Sequence, residues 1–263
     1  MSLSKITIIT VSYNCADSLE CTIKSVMNQS YLDKEYIIID GASSDNTCNI
    51  IKKYENMVTK YISEPDYGIY DAMNKGIDLA TGEWIIFMNS GDVFHDNYVI
   101  ENVFSDDFDD NIGIVYGDIE LLFSNGLKVL KRMNHISEER IPMEICHQAV
   151  FTRTYILKEI KYDLSYKIIA DRKSFIDIYK MGMKFKYVPF VISEFDSVKG
   201  VSSKKQFKMY RELKRLNGEN IYSLKNIPST ILNFLKSLCF SILPNNFLSV
   251  LRSKLIASRK LYK

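Results

Sequence analysis

Ile6-Thr7-Ile8-Ile9-Thr10-Val11-Ser12 is a continuous apolar and β-branched run, and reads as a strand. Just beyond it, Asp17 and Glu20 stand at the spacing of a capping box. Leu19, Ile23, Val26 and Met27 then fall on one helical face. A second strand follows from Tyr36 to Ile39 and ends in the polar loop Asp40-Gly41-Ala42-Ser43-Ser44-Asp45, which leads into a helix through Cys48, Ile51 and Tyr54. Strand, helix and strand in this order build βαβ units, so the fold class is α/β with a mainly parallel sheet. Ligands of such sheets bind beyond the carboxyl ends of the strands, where this loop lies.

Working outward, Ile69, Ala72, Met73, Gly76, Ile77 and Ala80 form one stripe of a core-facing helix, with Gly82 beyond it as a stop. Trp84 to Met88 reads as another buried strand and runs into a second polar loop, Asn89-Ser90-Gly91-Asp92. Two such loops at strand ends imply one shared crevice. After Gly113 the pattern becomes a hairpin, Ile114 to Phe123 and Leu127 to Met133, joined across Asn125-Gly126. A helix from Asp171 to Met181 and strands at Phe185–Val188 and Phe190–Phe195 complete the domain. Beyond Gly200 the chain reads as helical and basic.

The 263 residues are 46% hydrophobic and 25% charged, the make-up of a globular protein rather than a disordered one. No run of about 18 apolar residues occurs, and Met1 leads straight to a strand without a basic region and cleavage site. The five cysteines are odd in number, scattered, and lack C-x-x-C pairing, so they read as reduced cytosolic thiols. The net charge of +2 conceals an asymmetry: residues 199–263 hold 14 Lys and Arg against Glu212 and Glu219, or +12, which leaves −10 for the rest. That tail expects an anionic partner. With no nucleic-acid-reading motif in it, an anionic membrane surface is favoured and nucleic acid is not expected.

Asp40, Asp45, Asp66 and Asp92 all lie in loops at element ends. Carboxylates there accept hydrogen bonds from a base or ribose, or hold a hard divalent ion that bridges phosphate oxygens. The alternative for Asp45 is a simple helix cap, and for Asn89–Asp92 a simple turn.

The runs Ile8-Ile9-Thr10-Val11-Ser12-Tyr13-Asn14, Ile39-Asp40-Gly41-Ala42-Ser43-Ser44-Asp45-Asn46-Thr47, Glu64-Pro65-Asp66-Tyr67-Gly68-Ile69-Tyr70-Asp71-Ala72-Met73-Asn74-Lys75-Gly76 and Asn89-Ser90-Gly91-Asp92 together resemble glycosyltransferase family 2, the inverting nucleotide-sugar enzymes of the GT-A fold. The resemblance implies a mixed, mainly parallel central sheet flanked by helices over residues 1–202, and leaves 203–263 as a basic amphipathic helical extension. It implies that Thr10, Val11 and Asn14 line the nucleotide, that Asp40 pairs with the base, and that Asp66 and Lys75 sit near uracil and ribose. The family's acidic metal motif falls on Asn89, Ser90, Gly91 and Asp92. Asn89 and Gly91 replace acids found in many relatives, so Asp92 is the carboxylate ligand left for Mn²⁺ or Mg²⁺. Asp171 matches the family's base, with a helix cap as its alternative, and His147 stands where it could contact acceptor or diphosphate, or serve only structure. Gly200-Val201-Ser202, with Lys204 and Lys205 nearby, resembles the loop that closes over the diphosphate.

The function implied is transfer of a hexose or N-acetylhexosamine from a UDP-sugar donor to a glycan or lipid-linked oligosaccharide acceptor, in bacterial surface polysaccharide synthesis on the cytoplasmic face of the membrane. A non-catalytic module of the same fold is the competing expectation. A nucleotidyltransferase would need a Gly-rich loop bearing Lys or Arg near the N-terminus, which is absent. In the tail, Ile227, Ile231, Phe234, Leu235 and Leu238, and again Phe247, Leu248, Leu251, Leu255 and Ile256, recur at helical spacing. These stripes could meet lipid, the catalytic domain or a second copy in a homodimer.

Overall fold

A computed structural model describes residues 4–123, 126–133, 145–196, 205–223 and 225–242. Asn125, the 200–202 loop with Lys204, and the second apolar cluster from Phe247 to Ile256 with its basic neighbours lie outside the described residues. The chain divides into two compact units, residues 1–120 with 130–195, and residues 121–129 with 196–263.

The sheet and its covering helices begin with β1 (Ile6–Ser12), α1 (Ala16–Met27), β2 (Lys34–Asp40), α2 (Thr47–Lys53), β3 (Lys60–Ser63), α3 (Ile69–Leu79) and β4 (Trp84–Phe87). After these come β5 (Val93–Phe94), α4 (Val99–Val103), β6 (Ile112–Leu122), β7 (Lys128–Lys131), β8 (Val150–Arg153), α5 (Thr154–Ile160), α6 (Ala170–Lys180) and β9 (Lys184–Asp196). The sheet runs β3-β2-β1-β4-β8-β6-β9-β5, with β7 against β6. The four strands from β3 to β4 are parallel, joined by helical crossovers, while β8 pairs antiparallel with both β4 and β6, and β5 antiparallel with β9. The sheet is therefore mixed, and its parallel half is the part the opening residues announce.

Ile8, Ile9, Ile37, Ile38, Ile39 and Ile86 are wholly buried, because α1 and α3 cover the parallel strands with Leu19, Ile23 and Val26 and with Ala72, Met73 and Ile77. This explains why those strands read as unbroken apolar runs. α3 lies unusually close to β1: a Cβ on Gly76 would stand 2.6 Å from Cγ2 of Ile9.

Two local expectations change. Asp17 does not cap α1; the N-cap is Cys15, which makes no side-chain cap, and Asp45 Oδ2 instead accepts from the backbone of Ala16 at 3.1 Å. The same carboxylate accepts from Thr47 N through Oδ1 at 2.9 Å, so one side chain serves the starts of both α1 and α2. The two strands expected around Pro189 are a single one, β9. β5 pairs with β9 at Ser193 and Glu194, so among the described residues the β5 side of β9 makes no ladder at Pro189.

In the second unit, α7 (Gln206–Leu216) packs on α8 (Ile227–Ile242). Phe207 meets Phe234 edge to face, and the Tyr210 hydroxyl reaches Ser229 at 2.9 Å and Thr230 at 3.2 Å. Ile231, Leu232, Phe234, Leu235 and Leu238 nonetheless remain about half exposed. Among the described residues no helix is long and apolar enough to cross a membrane.

Candidate active site

The carboxyl ends of β1, β2 and β4 bring the predicted loops to one edge. Asp40 is fully buried there. Its Oδ1 accepts from Ser12 Oγ at 3.0 Å and Ser43 Oγ at 2.5 Å, and its Oδ2 from Ser43 N at 2.9 Å and Ser63 Oγ at 2.7 Å. Burial alone would raise this carboxyl, but the hydrogen bonds from Ser43, Ser63 and Ser12 outweigh it and hold it below its ordinary value. Thr10 is also fully buried, with its hydroxyl between Tyr36 Oη at 2.9 Å and Met88 O at 2.7 Å, and Val11 is nearly so. These three residues form the floor of the edge, their polar atoms engaged by protein.

Asn14 lies on the rim in a left-handed conformation (φ 47°), where its Oδ1 accepts from Ser44 N at 2.8 Å and its own N donates to Ser43 Oγ at 2.8 Å. Asp66 Oδ1 accepts from Gly68 N at 2.8 Å. Its Oδ2 stands 2.4 Å from where a Cβ on Gly41 would be, so Gly41 is what lets the two loops approach. Lys75 pairs with Glu64 at 2.8 Å and donates to Pro65 O at 2.8 Å, bracing the loop that carries Asp66.

The second part of the site is a chain of hydrogen bonds across four segments. Asn89 Nδ2 lies 3.0 Å from His147 Nε2, and His147 Nδ1 lies 3.0 Å from Asp171 Oδ2. Asp171 Oδ1 accepts from Arg172 N at 2.9 Å and faces Tyr70 Oη at 3.0 Å; that hydroxyl is also 2.8 Å from Ile168 O. The His147 and Asp171 side chains are 19% and 14% exposed. Burial would lower the imidazole, but the hydrogen bond and charge of Asp171, with the charge of Asp92, hold it above its ordinary value. Conversely, burial would raise Asp171, and His147, Tyr70 and Arg172 hold it down.

Asn89, Ser90 and Asp92 form the loop after β4, closed by Asp92 N donating to Asn89 O at 2.9 Å. Asn89 Oδ1 is buried with no hydrogen-bond partner. This orphaned oxygen and the Asp92 carboxylate are hard donors, and the pair fits a divalent cation of the Mg²⁺ or Mn²⁺ type whose remaining ligands come from phosphate and water. A different grouping, His95, Glu120 and Glu194, is drawn together by a 3.0 Å contact between His95 Nδ1 and Glu194.

Thus the site residues expected from the sequence fall into two sets, those at and just beyond the carboxyl ends of β1, β2 and β3, and the Asn89–His147–Asp171 chain with its neighbours Ser90 and Asp92. The sequence reading missed Tyr70, which ties α3 to Asp171, and the rim tyrosines Tyr13 and Tyr67, 66% and 84% exposed. All three lay inside the quoted motifs. Large aromatics beside Asn14 and Gly68 at element ends were the available signal.

With this geometry in view, a family model described as "Glycosyl transferase family 2" matches residues 7–169. A PGL/p-HBAD biosynthesis glycosyltransferase of Mycobacterium bovis (strain BCG / Pasteur 1173P2) is 30% identical over 214 residues, covering 77% of this chain and 81% of that protein. A cholesterol galactosyltransferase of Borreliella burgdorferi is 31% identical over 121 residues, covering 45% of this chain and 34% of the relative. Among solved structures, S. aureus TarS 1-349 in complex with UDP-GlcNAc superposes with a TM-score of 0.66 at 16% identity, covering 89% of this chain and 71% of that one. The mannosyltransferase PcManGT from Pyrobaculum calidifontis, in complex with GDP-Man and Mn²⁺, gives 0.64 at 15% identity, covering 97% and 81%. At such identities the structures show a shared fold, the GT-A arrangement that the motifs led us to expect.

Proposed function

We propose, on the premise that this chain belongs to glycosyl transferase family 2 and is a glycosyltransferase, that it moves a hexose or N-acetylhexosamine from a UDP-sugar to a hydroxyl of a glycan or lipid-linked acceptor, with inversion at the sugar carbon. One observation carries this reading. The hydrogen-bonded chain from Asn89 through His147 to Asp171 holds the loop expected to face the diphosphate and the carboxylate expected to face the acceptor in one frame.

In the single displacement, the acceptor oxygen attacks the sugar carbon opposite the diphosphate, the bond to the diphosphate breaks, and the hydroxyl proton passes to Asp171. A hydroxyl is a poor nucleophile at neutral pH, and a positioned carboxylate base supplies what it lacks. Asp171 is ionised for this task because His147, Tyr70 and Arg172 keep its carboxyl low. A divalent cation held by Asp92 and Asn89 would stabilise the charge of the departing diphosphate. Tyr13 and Tyr67 offer exposed rings for the base, and Asp66, Lys75 and Asn14 shape the ribose side. Asp40, Thr10 and Val11 act beneath, by fixing the loops that touch the nucleotide. The solved relatives with UDP-GlcNAc or GDP-Man bound support a nucleotide-sugar donor. The basic tail and the half-exposed apolar residues of α8 support an acceptor presented at an anionic membrane surface, with the enzyme peripheral on its cytoplasmic face.

The test is release of free UDP from a panel of UDP-sugars with Mn²⁺ present. At least one donor is expected to turn over. Asp171→Asn is expected to keep UDP affinity while lowering transfer by on the order of 10²-fold or more. Tight UDP binding with no turnover of any donor would instead leave a binding module.

A further inference from the structure

His147 arrives from the segment before β8, and Asn89 from the end of β4, yet the carboxamide and the imidazole meet at 3.0 Å. The amide nitrogen of Asn89 only donates, so Nε2 of His147 is the lone-pair nitrogen and a neutral ring carries its proton on Nδ1. That proton points at Asp171 Oδ2, 3.0 Å away. Were the amide reversed, Nε2 of a neutral ring would have to carry the proton. Nδ1 would then turn a lone pair toward the carboxylate, setting two acceptors face to face. The arrangement present is the one in which a neutral ring satisfies both neighbours.

The count of lone pairs at Asp171 adds a second constraint. Oδ1 receives Arg172 N and faces Tyr70 Oη, whereas among the described residues Oδ2 accepts from His147 alone. Oδ2 is therefore the oxygen with a lone pair to spare for an incoming proton, and its direction is set by the imidazole.

We propose that His147 is the positioning residue for Asp171: Asn89 fixes its Nδ1–H tautomer, and the ring in turn aims the Oδ2 lone pair at the acceptor hydroxyl. This rests on Asp171 acting as the base.

Two measurements test the proposal. In steady-state kinetics with a turned-over UDP-sugar, H147A and H147F are expected to lower kcat by at least about tenfold with donor KM within about twofold. H147N, whose amide reaches roughly the place of ring Nδ1, is expected to recover most of the loss. Equal rates in H147N and H147A, or wild-type kcat in H147F, would overturn the proposal. The second measurement needs no activity: ¹⁵N NMR of the histidine rings in the protein alone, with the His147 signal identified by its absence in H147N. A neutral ring protonated at Nδ1 is expected. A neutral ring protonated at Nε2 overturns it. Should no UDP-sugar turn over, the transferase reading fails separately and the NMR result still decides the tautomer.

Discussion

Asp92 stands in a loop whose other members, Asn89, Ser90 and Gly91, bring no second carboxylate, so the charge offered to a cation at this point is a single one. A hard divalent ion draws most of its binding energy from anionic oxygens, and removing the only one has a large effect. Asp92→Ala is accordingly expected to weaken the Mn²⁺-dependent part of UDP binding by at least about tenfold, with metal-free UDP binding little changed. Calorimetry of UDP with and without Mn²⁺ measures the difference, and an unchanged metal increment would remove Asp92 from the cation's shell. Asp92 and Asp171 could be singled out in the sequence because each sits in a short motif at the end of an element. Tyr70 was not, since its partner lies 101 residues away and a helix pattern says only that the ring faces inward. Nor was the crowding around Asp40 visible: three serines on three separate segments converge on it, and nothing local announces that they do.

At the level of elements, the parallel half of the sheet was legible because strands buried on both faces leave long apolar runs. β3, β5, α4 and α5 were not, being short and half-exposed, with too few residues to establish a period. β2 carries one charge that the apolar pattern would not predict. Glu35 is 2% exposed and accepts from Thr7 Oγ1 at 2.5 Å, Gly82 N at 2.9 Å, Thr81 Oγ1 at 2.7 Å and also Thr81 N, with Lys5 at 3.5 Å. Burial pushes this carboxyl up, yet the donors outweigh it and bring it down to about 2. A folded-state value below that of the unfolded chain stabilises the fold above the unfolded value of about 4.3 and is lost as pH falls toward 2, a contribution on the order of 3 kcal/mol. Thermal melts between pH 5 and pH 2.5 are expected to show a steep fall in Tm. In Glu35→Gln the fall is expected to be shallower and the starting Tm lower; parallel pH profiles would show that Glu35 carries no such linkage.

For the whole molecule, the division of charge, −10 over residues 1–198 and +12 over 199–263, is a property of the entire chain. Each basic group near an anionic bilayer contributes about 1 kcal/mol and loses it within a Debye length of salt. Ile231 and Leu235, 55% and 51% exposed and one turn apart on α8, offer apolar area beside that charge. Their joint change, Ile231→Glu with Leu235→Glu, is expected to abolish flotation with anionic vesicles at low salt while UDP release from the soluble enzyme persists. Flotation undiminished in the double variant would assign the apolar residues of α8 to another role. The close seat of α3 on β1 has a consequence for how such enzymes diversify. One segment bears Lys75, which braces the loop that carries Asp66, and Tyr70, whose hydroxyl faces Asp171, and it is seated where Gly76 rides on Ile9. Recombination between relatives that breaks between residues 64 and 79 would part the Asp66 loop from the Tyr70–Asp171 contact, whereas exchange of the segment together with its β1 partner keeps them in register. The Asp66 loop and the setting of Asp171 are thus tied to the same segment and change together when it is exchanged.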